Sequence, residues 1–505
     1  MDLAQRLSKL SPQQRKLFEL KLQQQNIHIL NLPITKENRT NDHEQQRFPL
    51  SFGQERLWFI HQLEPKNTAY NIIKATTLEG SLDKHALEQS INEIIRRHEI
   101  LRTVFITDKQ EPAQVILNQL SLPLEIIDLK NFPKEKQKNE VKKIIQYESQ
   151  YVFDLATAPL LKTKLVVLNE KEDQHVFLLL IHHIISDGWS IEFFIKEFIQ
   201  LYQAFCQGKK SPLPELPSQY VDYACWQRRW FGEGAVNTAF RKKQEAYWLN
   251  QFSGEIPVLT LPTDYPRPMK QSFEGLTLFF DLDIHEKNTL KEMALTYKTT
   301  LYVLLLAIFN IFLSKLSGME DIVIGTPVAG RRHPGLQGKI GMFVNTLALR
   351  NYPHHDKTFR DFLEEVRNQT LNAFENQEYR YEDLLGKLPL NRHTGRNPLF
   401  DVMFLFDIID KDEIDIPGLT LKPYNCEKKT ANFDLTLYVQ EQRDILHFGF
   451  EYCTKLFNKR TIERFIGYFR QIVTSVISNP NQKISRIKII SKEEKKQVLF
   501  DFNNT

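Results

Sequence analysis

The stretch His182-His183-Ile184-Ile185-Ser186-Asp187-Gly188-Trp189-Ser190 carries the residue types best suited to proton chemistry in this chain of 505 residues. An imidazole titrates near neutral pH and can take or give a proton during a reaction. The competing reading is a pair of buried, hydrogen-bonded histidines, which is what an isolated His-His pair usually is. The fuller pattern His-His-x-x-x-Asp-Gly is harder to dismiss. From ordinary residue usage, its four fixed positions should coincide in a chain of this length on the order of one time in a thousand.

The flanking residues say how this stretch is held. Val176 to Ile181 is an unbroken apolar run of strand length, suited to a strand covered on both faces. Ile191, Phe194, Ile195, Phe198 and Tyr202 then recur at helical spacing. Asp187, Gly188 and Ser190 supply a turn and a helix N-cap between the two. The histidines therefore sit where a buried strand ends and a helix begins.

The chain is too long for one simple core, so two large lobes with tails are expected. Its 42% hydrophobic and 25% charged residues are those of a globular protein. A net charge of +4, with Lys and Arg scattered, argues against a nucleic-acid partner. The 35 Phe call for large buried areas or an apolar channel. Four cysteines, at 206, 225, 426 and 453, have no metal-ligand spacing, and are expected to be reduced thiols of a cytoplasmic protein. Leu301 to Leu313 is too short to span a membrane and reads as a buried core helix.

In chain order, residues 1–47 read as a helical and linker segment, with a capping box at Ser11-Pro12-Gln13-Gln14 and a polar surface linker from about residue 34. Residues 48–215 form a first lobe containing the two histidines. Three prolines between 208 and 219 mark a crossover. Residues 216–490 form a second lobe, opening with a helical segment from Tyr220 to Phe252 and including a strand from Met342 to Arg350. Residues 491–505 read as the start of a further linker. The order of strands and helices predicts a mixed α/β layer structure.

Six more stretches make the pattern specific. They are Leu50-Ser51-Phe52-Gly53-Gln54-Glu55-Arg56-Leu57-Trp58, Arg97-His98-Glu99-x-Leu101-Arg102-Thr103, Tyr220-Val221-Asp222-Tyr223-Ala224-Cys225-Trp226-Gln227, Ile340 to Arg350, the looser Asn376 to Glu382, and Arg396-Asn397-Pro398-Leu399-Phe400. With the histidine motif they stand in the order of the seven signatures of the condensation domains of non-ribosomal peptide synthetases, which the chain resembles. These domains share a fold with chloramphenicol acetyltransferase. The resemblance implies two such lobes, an α+β sandwich each, in a V-shaped pseudo-dimer with a central tunnel.

It also implies a reaction. The amine of an acceptor aminoacyl thioester attacks the carbonyl of a donor aminoacyl or peptidyl thioester. Both are carried on phosphopantetheine arms of peptidyl carrier proteins, one upstream and one downstream. His183 is the residue the family assigns to the amine, as general base or by positioning, with His182 in support. The Gly188 N–H is a candidate for stabilising the developing oxyanion. Asp187 reads as a structural brace paired with Arg331 or Arg102, and its loss is expected to cost soluble protein as well as activity. Trp189, Ser190, Asn345 and Asn397 are candidates for the tunnel wall, although a satisfied polar group in a turn is the better reading of the two asparagines. Arg97 follows a helix C-terminus, where a structural role serves as well. No metal or cofactor is expected on the domain itself.

Gln54-Glu55-Arg56-Leu57-Trp58 resembles the subtype that joins two L-residues. An initiating subtype with a fatty acyl donor is the main alternative. An epimerisation domain of the same fold fits less well, because Val498 to Thr505 resembles the linker into an adenylation domain. A non-catalytic recruitment platform typically lacks the histidine motif, which is present here. The expected state is a monomer, with an adjoining adenylation domain and neither nucleic-acid nor membrane partner.

Overall fold

A computed structural model describes residues 34–37, 39, 46–169, 173–232, 238–390, 394–408, 414–424 and 429–490. The helices expected before residue 27, the linker from 491 and Cys426 lie outside the described residues. The protein is a mixed α/β fold that divides into two compact units.

The first unit runs to Lys243 and takes in Ala329–Val344 and Asp412–Cys426 from the later chain. Its main sheet has six strands in the spatial order Ile414–Ile416, Leu419–Pro423, Asn71–Gly80, Gln174–His182, Leu161–Asn169 and Glu125–Asp128. Only the last pair is parallel. Gln174–His182 is central, as its apolar run requires. Leu179, Leu180 and Ile181 join a core with the helices Lys84–Arg97 and Gly188–Cys206. Val176 and Leu178 join another with Val141 and Ile145 of the helix Lys134–Ser149. That helix escapes a reading by pattern because its lysines and glutamates outnumber a short apolar stripe. Asn71 lies opposite His182 in the antiparallel ladder, fixing the strand end that carries the histidines. A smaller sheet joins Arg47–Pro49, Glu111–Ile116 and Thr103–Asp108.

The second unit comprises Gln244–Val328, Asn345–Lys411 and Glu427–Thr505. Its six strands follow the spatial order Asn345–Asn351, Ile322–Val328, Val402–Ile408, Leu435–Glu441, Leu446–Cys453 and Gly275–Leu282. The helix Leu301–Ser317 is the expected core helix, buried at every position from Val303 to Ser314. Thr300 caps its start and Gly318, in the left-handed region at φ 72°, ends it. Phe309, Phe312, Phe359, Phe362, Phe404, Phe448 and Phe450 are fully buried in and around it, a fifth of the 35 phenylalanines. Among the described residues, no single helix is long and apolar enough to cross a membrane.

Three expectations need correction. The division falls after Lys243 rather than after 215, because the helix Tyr220–Phe231 packs into the core of the first unit. The segment from Tyr220 to Phe252 is two helices; the first stops at Gly232, whose N–H closes on Arg228 O, and Thr238–Gln251 follows. The strand expected from Met342 starts only at Asn345, and Met342 to Val344 belong to the first unit.

Candidate active site

His182 ends the central strand, and His183 opens a short 3-10 turn, His183–Ile185. The backbone is pinned at both residues: His182 N–H donates to Leu160 O at 3.0 Å, and His183 N–H to Tyr70 O at 2.9 Å. The His182 ring is buried. Its Nδ1 accepts from Ile184 N–H at 3.1 Å, so the neutral ring bears its proton on Nε2 and clasps the turn that carries His183. Burial, followed by the neighbouring His183 and His61, pushes its pKa down to about 3. Phe153 and His61 meet its ring edge to face at 5.9 and 6.5 Å.

His183 is half-buried as a residue, and its Nδ1 is buried with no hydrogen-bond partner among the described residues. Burial moves its pKa below the ordinary 6.5, while the Asp187 carboxylate pulls the other way. The backbone at His183 and Ser186 also pulls it up, and Arg56 adds to the lowering. The ring is therefore neutral at pH 7, the form that can accept a proton.

Asp187 is fully buried and caps the helix Gly188–Cys206. Its Oδ1 accepts from Ser190 N–H and Ser190 Oγ, both at 2.7 Å, and from Arg331 Nη2 at 3.2 Å. Its Oδ2 accepts from Phe343 N–H at 3.0 Å. Arg331 is thus the partner of the two arginines considered. Its Nη1 donates to Leu336 O and Lys339 O at 3.0 and 2.8 Å, and its guanidinium lies 4.0 Å from the centre of the Phe343 ring. Arg102 is placed elsewhere, against Leu117 O and Glu99.

Ser190 was a candidate for the substrate wall. It is buried instead, and its hydroxyl is committed to Asp187, to Gly341 O at 2.9 Å, to Gly341 N–H at 3.1 Å and to Arg331 Nη2 at 2.7 Å. Gly188 is exposed and Trp189 half-buried at the first helical turn. A Cβ at Gly188 would meet nothing within 4 Å. The positions that the sequence does not single out are Gly341 and Phe343, which supply the backbone contacts to Ser190 and Asp187. Their signal was present in the Ile340–Arg350 signature, but its apolar run reads as strand.

The remaining candidates have partners of their own. Arg97 is buried and paired with Glu197 through Nε and Nη2 at 3.1 and 3.2 Å. Asn345 and Asn397 belong to the second unit. Asn345 Nδ2 donates to Gln377 O at 2.7 Å and Tyr379 O at 3.1 Å, and Asn397 N–H to Asp401 at 3.3 Å.

A neutral histidine sits next to the exposed start of a helix, and a buried ion pair holds the turn between them. Comparison with known proteins gives the family of the chain. The condensation-domain family model matches residues 44–499. The chain belongs to this family, the amide-forming domains of non-ribosomal peptide synthetases. Gramicidin S synthase 2 of Brevibacillus brevis is 42% identical over 463 residues, covering 91% of this chain and 10% of that protein. Tyrocidine synthase 2 of Brevibacillus parabrevis is 43% identical over 461 residues, covering 91% and 12%. The chain therefore spans about a tenth of the length of these relatives. Among solved structures, the first condensation domain of the calcium-dependent antibiotic synthetase, in complex with a substrate analogue, superposes with a TM-score of 0.74 at 18% identity, covering 88% of this chain and all of that one. The X-domain in its complex with OxyB from teicoplanin biosynthesis gives 0.80 at 23%, covering 91% and 98%. At these identities the structural likeness is one of fold.

Proposed function

We propose that this chain joins the amine of an acceptor aminoacyl thioester to the carbonyl of a donor aminoacyl or peptidyl thioester, with two L-residues and both thioesters on phosphopantetheine arms of carrier proteins. The carrying observation is the neutral His183, fixed at the end of the central strand one short turn ahead of an open helix start. As the amine nitrogen bonds to the carbonyl carbon, His183 holds the proton the amine gives up. The carbon–sulfur bond breaks, and the departing thiolate takes the proton that His183 holds, so the histidine is neutral again and protons balance. The Gly188 N–H at the helix start faces the developing oxyanion. Holding both thioesters together supplies proximity, a large share of such a rate enhancement. The L,L assignment is supported by Gln54-Glu55-Arg56-Leu57-Trp58, and an adjoining adenylation domain by Val498 to Thr505. The setting is the cytoplasm, with the domain monomeric.

The test is dipeptidyl transfer between two carrier proteins loaded with defined aminoacyl groups. His183→Ala should lose about 100-fold or more in rate while keeping the wild-type melting temperature; undiminished transfer would remove the role of His183. A donor panel of L-, D- and fatty acyl groups checks the subtype: faster transfer of a fatty acyl than of an L-aminoacyl donor would overturn it.

A further inference from the structure

Two acidic residues of the family signatures, Glu99 and Asp222, play no part in the site around His183. They converge instead on residues that precede the family match. Asp222 is fully buried; its Oδ2 accepts from Gln219 N–H at 2.6 Å. Its Oδ1 accepts from Glu37 N–H and Arg39 Nη1, both at 2.9 Å. Arg39 also donates through Nε and Nη2 to Glu99 Oε2, at 3.2 and 2.8 Å, and through Nη1 to Glu37 O at 2.8 Å. Arg229 pairs with Glu37 at 2.5 Å, and Ile34 packs on the apolar core of the first unit. The second oxygen of Glu99 lies 3.8 Å from Arg102.

These contacts correct the expectation of a polar surface linker. Arg39 is the cation in ion-pair contact with Asp222, and burying a carboxylate without one is strongly unfavourable. Glu99 and Asp222 come from different signatures and are brought side by side by folding, so the receptor exists only in the native unit. Lys36 faces solvent between the two bound ends.

We propose that Glu99, Asp222 and Arg229 form a binding site for the chain's own residues 34–37 and 39, a strap that fastens whatever precedes residue 34 to the unit carrying His183. The strap's amide-and-arginine pattern fits the site: the Glu37 N–H and the Arg39 guanidinium share a buried carboxylate, while the Glu37 carboxylate takes Arg229. The proposal is independent of the catalytic reading of His183. A linker tethered at this point fixes where an upstream carrier or docking segment enters, whereas a free linker would leave it to diffuse.

The test uses the full chain and trypsin, reading cleavage after Lys36. Arg39→Gln and Glu99→Gln should each raise cleavage there at least tenfold, with cleavage after residues 46–490 unchanged. A second reading covers the case in which a variant loosens the whole fold. A labelled peptide of residues 33–40 should bind the Arg39→Gln chain at least tenfold more tightly than the same peptide with Gln at position 39. Glu99→Gln, added to that chain, should narrow the difference, since Asp222 still pairs with Arg39. Equal cleavage after Lys36 in all chains, or equal binding of the two peptides, would overturn the strap.

Discussion

Gly188 separates two reasons a residue can matter. Nothing in the protein requires the missing side chain, since a Cβ there meets open space and the position is exposed. If the glycine is needed, the need comes from a substrate approaching the backbone. Gly188→Ala should therefore keep or slightly raise stability, by up to about 1 kcal/mol through the stiffer unfolded chain. Its transfer rate should fall at least tenfold. An unchanged rate in a folded Gly188→Ala chain would move the oxyanion away from this N–H. His182 carries a different signature. Its pKa of about 3 lies below the unfolded value near 6.5, so between these pH values the unfolded chain holds the extra proton. Stability from this group is complete above about pH 6.5 and declines as pH falls toward 3. Going from pH 7 to pH 5 should cost about 2 kcal/mol. His182→Asn keeps an acceptor for Ile184 N–H but cannot titrate; urea denaturation at the two pH values should show that difference shrink, and an identical pH dependence would refute the buried, neutral assignment.

The element that organises the site is neither the strand nor the helix of the histidine motif but the segment Gly341 to Phe343. Gly341 holds Ser190, Phe343 N–H holds Asp187, and between them Met342 O accepts from the Tyr220 hydroxyl. Tyr220 in turn meets Ser51 Oγ at 2.7 Å, and Ser51 caps the helix Phe52–Leu63 together with Gln54. A Cβ on Gly341 would sit 1.9 Å from Tyr220 Cδ2, and that ring is buried and fastened by its hydroxyl. Gly341→Ala should cost about 3 kcal/mol and lower transfer by displacing Phe343 N–H. In Tyr220→Ala the added methyl has room, so the double variant should lose less stability than the two single losses combined. Additive losses would show that the clash is not the cause. The strand, the helix start and both histidines were legible because hydrophobic period and capping chemistry are local. The segment was not: apolar residues that reach a site through their backbone carry the same pattern as residues of a strand. The identity of Arg331 as the partner of Asp187 was likewise open between two arginines, since a contact across many intervening residues leaves no trace in spacing.

At the scale of the whole chain, the first unit cannot be completed by the residues that begin it. The chain leaves at Gln244, returns for Ala329–Val344, and returns again for Asp412–Cys426. The first return brings Arg331 and Phe343 N–H to a fully buried Asp187. The second lays Leu419–Pro423 along the Asn71–Gly80 strand, so that strand is not an open edge. A fragment of residues 1–243 would therefore keep the histidine motif and the two Ser190 contacts to Asp187 but lack its cation, Arg331, and the Phe343 N–H. An uncompensated buried charge of this kind costs about 3–5 kcal/mol. It would also expose the backbone of Asn71–Gly80, an invitation to pair with another chain. The fragment should accumulate as insoluble protein or soluble aggregate, and co-expression with residues 244–505 should restore a soluble, transfer-active complex. Size-exclusion chromatography and near-ultraviolet circular dichroism decide the matter. A monomeric 1–243 fragment with native-like side-chain signals would mean that the two returning segments decorate the unit instead of completing it. The site would then depend on the strand and helix of the histidine motif alone.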